Sequence, residues 1–293
     1  MEPTLLINAL SIDVEDWYHP ELIRSHVTPS EFESQVHVAT APILALLRRY
    51  GVRATFFIVG ELIPRVPELV AEIAAAGHEI GCHGMSHRPL NALVPDDLHA
   101  ELASYAKAIS FLPDVSVKGF RAPTFSLDNE TRWAVPILHE FGYEYDSSIF
   151  PVRNYLYGVA DCPPTPYRLG TQDVTRHDPE GKLWEFPMST WRCGGWKMPV
   201  SGGFYLRATP WPLLRTLLQR VNASGAPFVI YLHPWETHAE TPRVPGISPL
   251  SRWLTYYNIG SALDKLERLL QSFTLSTLSD ALAAWQAAQA ALA

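Results

Sequence analysis

The sequence predicts a parallel α/β fold, either an open sheet or a barrel. Short apolar, β-prone runs alternate with segments of helical periodicity over the first half of the chain. Polar residues suited to chemistry follow those runs directly, at the strand ends where α/β barrels gather their active sites. From Phe150 to about Pro212 the rhythm changes to Pro-, Gly-, Trp- and Tyr-rich sequence without long helical periodicity. That stretch reads as short strands and long loops, an insertion that shapes a groove.

Taken in order, Leu5 to Ile12 is a buried first strand ending in Asp13-Val14-Glu15-Asp16. Pro42 to Tyr50 carries Ile43, Leu44, Leu46 and Leu47 at helical spacing, and Gly51 is placed to stop the helix. Val52 to Gly60 is a second buried strand, and Ile63 to Ala76 a helix closed by Gly77. His78 to His83 alternates as a third strand, which Gly84 breaks. Pro95 to Ser110 is a helix with Asp96 and Asp97 in its first turn, where acids suit the dipole. Ser116 to Phe120 is a strand, Asn129 to Phe141 a helix and Tyr143 to Asp146 a short strand. After the irregular region come a helix over Leu213 to Val221 and a very apolar strand from Pro227 to His233. Ser261 to Gln271 is an amphipathic helix, Phe273 to Ala284 a strand or turn and a helix, and the alanine-rich end a helical tail.

Composition excludes several classes. The chain has 293 residues, 47% of them hydrophobic and 18% charged, as expected of a globular protein with a full core. A net charge of −7 and the lack of a basic run argue against nucleic acid and anionic membranes as partners. No apolar run reaches the ~18 residues of a membrane span. The N-terminal residues lack the basic region of a signal peptide, so a cytoplasmic protein is expected. Cys82, Cys162 and Cys193 are too few and too far apart for a disulfide framework or a zinc knuckle.

His83 and His87 stand four residues apart. One helical turn after Gly84 would bring their Cβ atoms within about 5–6 Å. Two imidazole nitrogens could then reach one divalent metal at about 2.0–2.1 Å each. Alone the pair is a weak signal in a chain with eleven histidines. It gains weight from carboxylates and a further histidine at the ends of other strands.

Five segments occur in order: Ser11-Ile12-Asp13-Val14-Glu15-Asp16, His83-x-x-x-His87, Arg121-Ala122-Pro123-Thr124-Phe125, Tyr145-Asp146-Ser147-Ser148 and Leu232-His233. Together they resemble the motifs of the NodB-type polysaccharide deacetylases, carbohydrate esterase family 4, over roughly residues 8 to 282. The extra carboxylate of the first segment resembles the branch of peptidoglycan deacetylases and allantoinases. The Trp/Gly-rich part within roughly 150–282 resembles deacetylases of exopolysaccharide gene clusters. The resemblance implies one NodB-like domain over residues 1–293, built as a distorted (β/α) barrel. It also implies a divalent metal, usually zinc, and removal of N-acetyl groups from an amino-sugar polysaccharide or its precursor. Alternatives are an allantoinase-like hydrolase of a small amide and a non-catalytic carbohydrate-binding member.

By the same resemblance, Asp13 is the general base, Arg121 pairs with it, His233 is the general acid, and Asp146 tunes that histidine. His83 and His87 are the imidazole ligands. The third ligand is open between Glu15 and Asp16. The family's commoner motif has two adjacent aspartates, whereas Val14 here separates Asp13 from Glu15. Side chains two apart on a strand share a face, which favours Glu15, while a bulge or early turn would bring in Asp16. Leu232 would line a pocket for the acetyl methyl group, with Phe125 and Trp235 also in substrate-binding positions. A backbone N–H at Thr124 or Phe125 could bind the oxyanion. Trp17, Tyr205 and Trp196 are further candidates for stacking on sugar. Cys82 is read as packing alone.

Overall fold

The computed structural model describes residues 6–28, 33–153, 156–194 and 196–291, with only the backbone at Cys193 and Trp196. Leu5, at the start of the expected first strand, and the Trp196 side chain lie outside the described residues.

Eleven strands are described: β1 (Asn8–Val14), β2 (Thr55–Ile58), β3 (Glu79–Cys82), β4 (Gly119–Phe120), β5 (Tyr145–Asp146), β6 (Tyr167–Arg168), β7 (Trp184–Glu185), β8 (Thr190–Cys193), β9 (Trp196–Pro199), β10 (Val229–Leu232) and β11 (Leu275–Ser276). Nine of them form one sheet in the order β10-β1-β2-β3-β4-β5-β7-β6, with β11 beside the start of β1. Neighbours from β10 to β7 run parallel, and β6 is antiparallel to β7. The sheet curls into a half-barrel, open between β10 and β6. β8 and β9 make a separate antiparallel pair inside the irregular region, where short strands and long loops are expected.

β1 is buried at all seven positions and pairs on both sides, with β10 and β2. A strand enclosed on both faces reads as a continuous apolar run in the sequence. Strand β10 comes from the C-terminal half of the chain, so the two halves complete one sheet. Leu10, Ile12, Phe56, Ile58, Ile80 and Ile230 form the main core with the inner faces of the surrounding helices.

Differences from the sequence-based boundaries have local causes. The helix expected from Pro42 begins at Val36 and carries Pro42 in its interior. An interior proline removes one hydrogen bond. Burial of Val36, Ala39, Ile43, Leu44 and Leu47 on one face outweighs that loss. Gly51 ends the helix with φ 63°, a left-handed conformation that glycine adopts without a Cβ clash. The segment after Gly84 makes no helical turn; it is a loop in which His87 itself has φ 54°. Among the described residues no helix is long and apolar enough to cross a membrane.

At the start of β3, His78 Nδ1 accepts a hydrogen bond from the Ala54 N–H at 3.2 Å, and its ring lies 4.9 Å from Phe56. Burial and the nearby Arg53 and Arg48 push its pKa down to about 4. The folded state thus refuses a proton that the unfolded chain accepts near 6.5. His78 therefore contributes stability that is fully present above pH 6.5 and is lost as pH falls towards 4. Urea unfolding from pH 7.5 to 4.5 should show a shallower acid loss for His78→Gln than for the wild type; identical slopes would exclude His78 as a source.

Candidate active site

The parallel strands end on one side of the sheet, and the site assembles there. Glu15 follows β1 by a tight turn in which its N–H donates to Asp13 O at 2.9 Å. Asp13 and Glu15 therefore face the same mouth, on either side of Val14. Glu15 Oε1 lies 3.1 Å from His83 Nε2 and 2.9 Å from His87 Nε2, with His233 Nε2 at 3.6 Å. The side chains of Glu15, His83 and His87 are almost wholly buried.

His83 directly extends β3, whereas His87 is held in its loop from outside. Glu101 accepts the N–H groups of Met85 and Ser86 at 2.7 and 2.8 Å, and Arg24 donates to the His87 carbonyl at 2.7 Å. These contacts support a left-handed histidine, a conformation with a steric cost for any residue bearing a Cβ.

His83 Nδ1 lies 2.8 Å from the Arg121 carbonyl, which can only accept. The Nδ1 proton is therefore committed there, and a neutral His83 presents a lone pair at Nε2 to a carboxylate oxygen. Burial pushes the His87 pKa down to about 4 against the raising effect of Glu15, which favours the neutral, ligand-competent ring. Burial pushes the Glu15 carboxyl up, but His87, His233 and His83 together hold it well below the usual range. Two imidazole nitrogens and one carboxylate oxygen, all within 4.8 Å of one another, make a donor set suited to a divalent cation.

Asp16 is not brought to this group. Its Oδ1 accepts from the N–H groups of Trp17 and Gln35 at 2.9 and 3.1 Å, which ties its carboxylate to the chain that follows β1. Of the two carboxylates left open by the sequence, the structure places Glu15 at the mouth.

Asp13 receives Arg121 Nη1 at 2.5 Å, and the same nitrogen donates to Ser11 Oγ at 2.8 Å. Arg121 is completely buried. Its other donors engage Ser147, Nε to the carbonyl at 2.9 Å and Nη2 to Oγ at 3.0 Å, while Phe57 lies 4.2 Å beneath the guanidinium. An arginine bound on every edge orients its carboxylate rigidly.

His233 follows β10, with Nδ1 2.9 Å from Glu236 Oε2 and its ring stacked on Trp235 at 5.3 Å. Glu236 Oε1 in turn accepts from Arg207 Nε at 2.8 Å. Burial pushes the His233 pKa down, but Glu15, Glu236 and Asp13 raise it to about 9. Burial likewise pushes Glu236 up, and Arg207 with His233 holds it below its ordinary value. Gly203 permits this packing, because a Cβ there would fall 1.6 Å from Glu236 Oε2.

Asp146 does not tune His233. It turns back on its own segment, accepting from Ser148 N at 3.0 Å and Ser148 Oγ at 2.6 Å. Burial raises its pKa, and burial together with the neighbouring Asp146 carboxyl raises that of Glu185 well above the usual range. Ser148 Oγ also accepts from Ala122 N, so this knot fixes the turn that presents Ser147 to Arg121. Glu236 takes the position expected of Asp146. The sequence carries a signal for it: His233-Pro234-Trp235-Glu236 has the spacing of a capping box, and Glu236 Oε2 accepts the His233 N–H at 3.0 Å. Arg207 and Ser147 carry no comparable local signal.

A cavity of about 240 Å³ opens over these groups, with Phe125, Tyr157, Tyr205, Tyr231 and Trp235 in its walls. Leu232 does not line it. Tyr231 and His233 project into the mouth, and strand alternation sends Leu232 into the core. Thr124 and Phe125 both have positive φ, 57° and 48°, at the cavity wall. The Phe125 N–H donates to Ala122 O at 3.1 Å and is thereby committed. Trp17 is buried in a small cluster with Ile23, Trp235 and Tyr256 and does not itself line the cavity. Cys82 sits in the core.

Truncating Glu236 would strand a buried arginine. Glu236→Ala should cost about 3–5 kcal/mol in chemical unfolding. The double replacement Arg207→Met with Glu236→Leu should cost less than Glu236→Ala alone; an additive or larger loss would show that the pair is not energetically coupled.

Residues 29–145 match the polysaccharide deacetylase family, and residues 147–283 match a domain of unknown function, DUF3473. The chain is 35% identical over 85 residues to a chitooligosaccharide deacetylase of Bradyrhizobium sp. (strain ANU 289), covering 29% of this chain and 39% of that protein. It is 33% identical over 96 residues to a peptidoglycan-N-acetylglucosamine deacetylase of Bacillus cereus, covering 32% of this chain and 35% of the relative. The match thus spans well under half the length of these relatives. Two solved structures share the fold. A candidate polysaccharide deacetylase from Mycobacterium smegmatis superposes with TM-score 0.61 at 20% identity, covering 99% of this chain and 96% of that one. A peptidoglycan deacetylase from Bacillus subtilis superposes with TM-score 0.52 at 15% identity and the same coverage. The polysaccharide deacetylase match therefore covers residues 29–145, and the half-barrel is the fold that the chain shares with these two solved structures.

Proposed function

We propose that this protein hydrolyses the N-acetyl amide of an amino-sugar glycan, with a divalent cation, zinc in the simplest case. One observation carries the reading: Glu15, His83 and His87 converge in a pocket that also holds the Asp13–Arg121 pair and His233. The names of the matched relatives, a chitooligosaccharide deacetylase and a peptidoglycan-N-acetylglucosamine deacetylase, agree with it.

Glu15, His83 and His87 would hold the cation, which when bound supplies Lewis acidity to water and to the acetyl carbonyl. Asp13, oriented by Arg121, accepts the proton of the attacking water. Oxygen adds to the acetyl carbon, the C–N bond breaks, and His233 gives a proton to the departing amine. Acetate and a free amino sugar result. Glu236 holds His233 Nδ1 and so leaves Nε2 facing the pocket. A cation at Glu15 would weaken the pull of that carboxylate on His233, while the Glu236 contact would remain. The aromatic walls offer flat apolar faces to a sugar ring. A 240 Å³ cavity is smaller than the ~300–1,000 Å³ pockets of drug-sized ligands, and suits a single sugar unit.

Acetate release from N-acetylglucosamine oligosaccharides should be measured with and without chelator. Release that chelation abolishes and zinc restores is expected; no release from these or from peptidoglycan glycan would sink the proposal. Asp13→Asn should lower kcat by about 10²–10⁴-fold while metal content holds. His83→Ala should lose the bound metal by elemental analysis, and undiminished metal would remove His83 from the ligand set.

A further inference from the structure

Beside the pocket, the helix Pro249–Tyr256 shows an unusual outer face. Leu250, Trp253, Leu254 and Tyr257 follow one another at i, i+3, i+4 and i+7, a single stripe. Leu250 is 51% exposed, Trp253 49% and Tyr257 44%. Scattered exposed apolar residues need no explanation, but a contiguous patch does. Here the rings touch: Phe204 packs on Trp253 at 4.9 Å between centroids, and Trp253 on Tyr257 at 5.7 Å.

The stripe is continuous with the proposed active site. Phe204 and Leu254 line the cavity, and Phe204 lies next to Gly203, which closes against Glu236. The platform therefore begins where the pocket opens. It also lies within residues 147–283, outside the segment that matches the deacetylase family.

We propose that Phe204, Trp253 and Tyr257, with Leu250 and Leu254, form a glycan-binding platform for sugar units beyond the one being deacetylated. The inference rests on the proposed function and names its substrate class as an oligomer or polymer. A pocket sized for one sugar leaves the rest of a chain outside. The first surface that this remainder meets is a ladder of flat rings, each able to cover the apolar C–H face of a pyranose. An anionic membrane is the weaker occupant: within the helix Arg252 is the one cation, and the whole chain carries −7.

The test compares the disaccharide and the hexasaccharide of N-acetylglucosamine as substrates. Trp253→Ala combined with Tyr257→Ala should raise KM for the hexasaccharide roughly ten-fold, leaving its kcat and both disaccharide constants unchanged. Equal effects on both lengths, or none, would overturn the platform. A second arm needs no turnover. Titrating Asp13→Asn protein with the same two sugars should give affinity that rises with length and loses that rise when Trp253 and Tyr257 are replaced. Length-independent binding overturns the platform, and so does loss of phosphatidylglycerol-vesicle binding in the double variant with oligosaccharide binding intact. Absent acetate release with length-dependent binding preserved would instead refute the hydrolytic reading alone.

Discussion

Glu15 Oε1 is the point on which the site turns, because three imidazole nitrogens lie within 3.6 Å of it. Such a cluster cannot persist as bare lone pairs. His83 has its proton tied to a backbone carbonyl, and burial keeps His87 neutral. Against burial, Glu15, Glu236 and Asp13 raise the His233 pKa to about 9, which sets positive charge beside the carboxylate. The surrounding structure keeps this arrangement from relaxing: Glu101 and Arg24 hold the His87 loop, and the Arg121 carbonyl holds His83.

The two sides of the mouth are built by different parts of the chain. Strand β1 and the segments following β1, β3 and β4 supply Asp13, Glu15, His83, His87 and Arg121. The later half contributes the other side, with Arg207, Glu236 and His233 in series. They meet because β10 pairs directly with β1, Ile12 opposite Leu232. The register of that single pairing sets how far His233 lies from Glu15. A slip of one residue would turn Tyr231 and His233 into the core and Leu232 into the mouth.

Much of this was legible in the sequence. The alternation of strands and helices announced a parallel sheet, and the polar residues after the strands marked its working end. Asp13, His83, His87, Arg121 and His233 could be singled out because each follows an apolar run or a breaker. Glu15 could be favoured over Asp16 by strand alternation, but the tight turn after Val14 was invisible. Leu232 was misread because its own apolar run shows no alternation: in a strand buried on both faces, pattern does not tell inside from mouth. Asp146 was misread for another reason. Its neighbours Ser147 and Ser148 let it close a local turn, and the residue that does hold His233 came from a capping motif one turn downstream. Arg207 was beyond reach, since its partner is chosen by tertiary packing against Gly203.

The adjacency of β1 and β10 has a temporal side. A ribosome delivers Glu15, His83 and His87 first, and Arg121 soon after. His233 emerges much later than any of these. A nascent chain therefore carries Glu15, His83 and His87 well before it carries the histidine that closes over them. The two sides of the mouth are separated by the time taken to synthesise the residues between them.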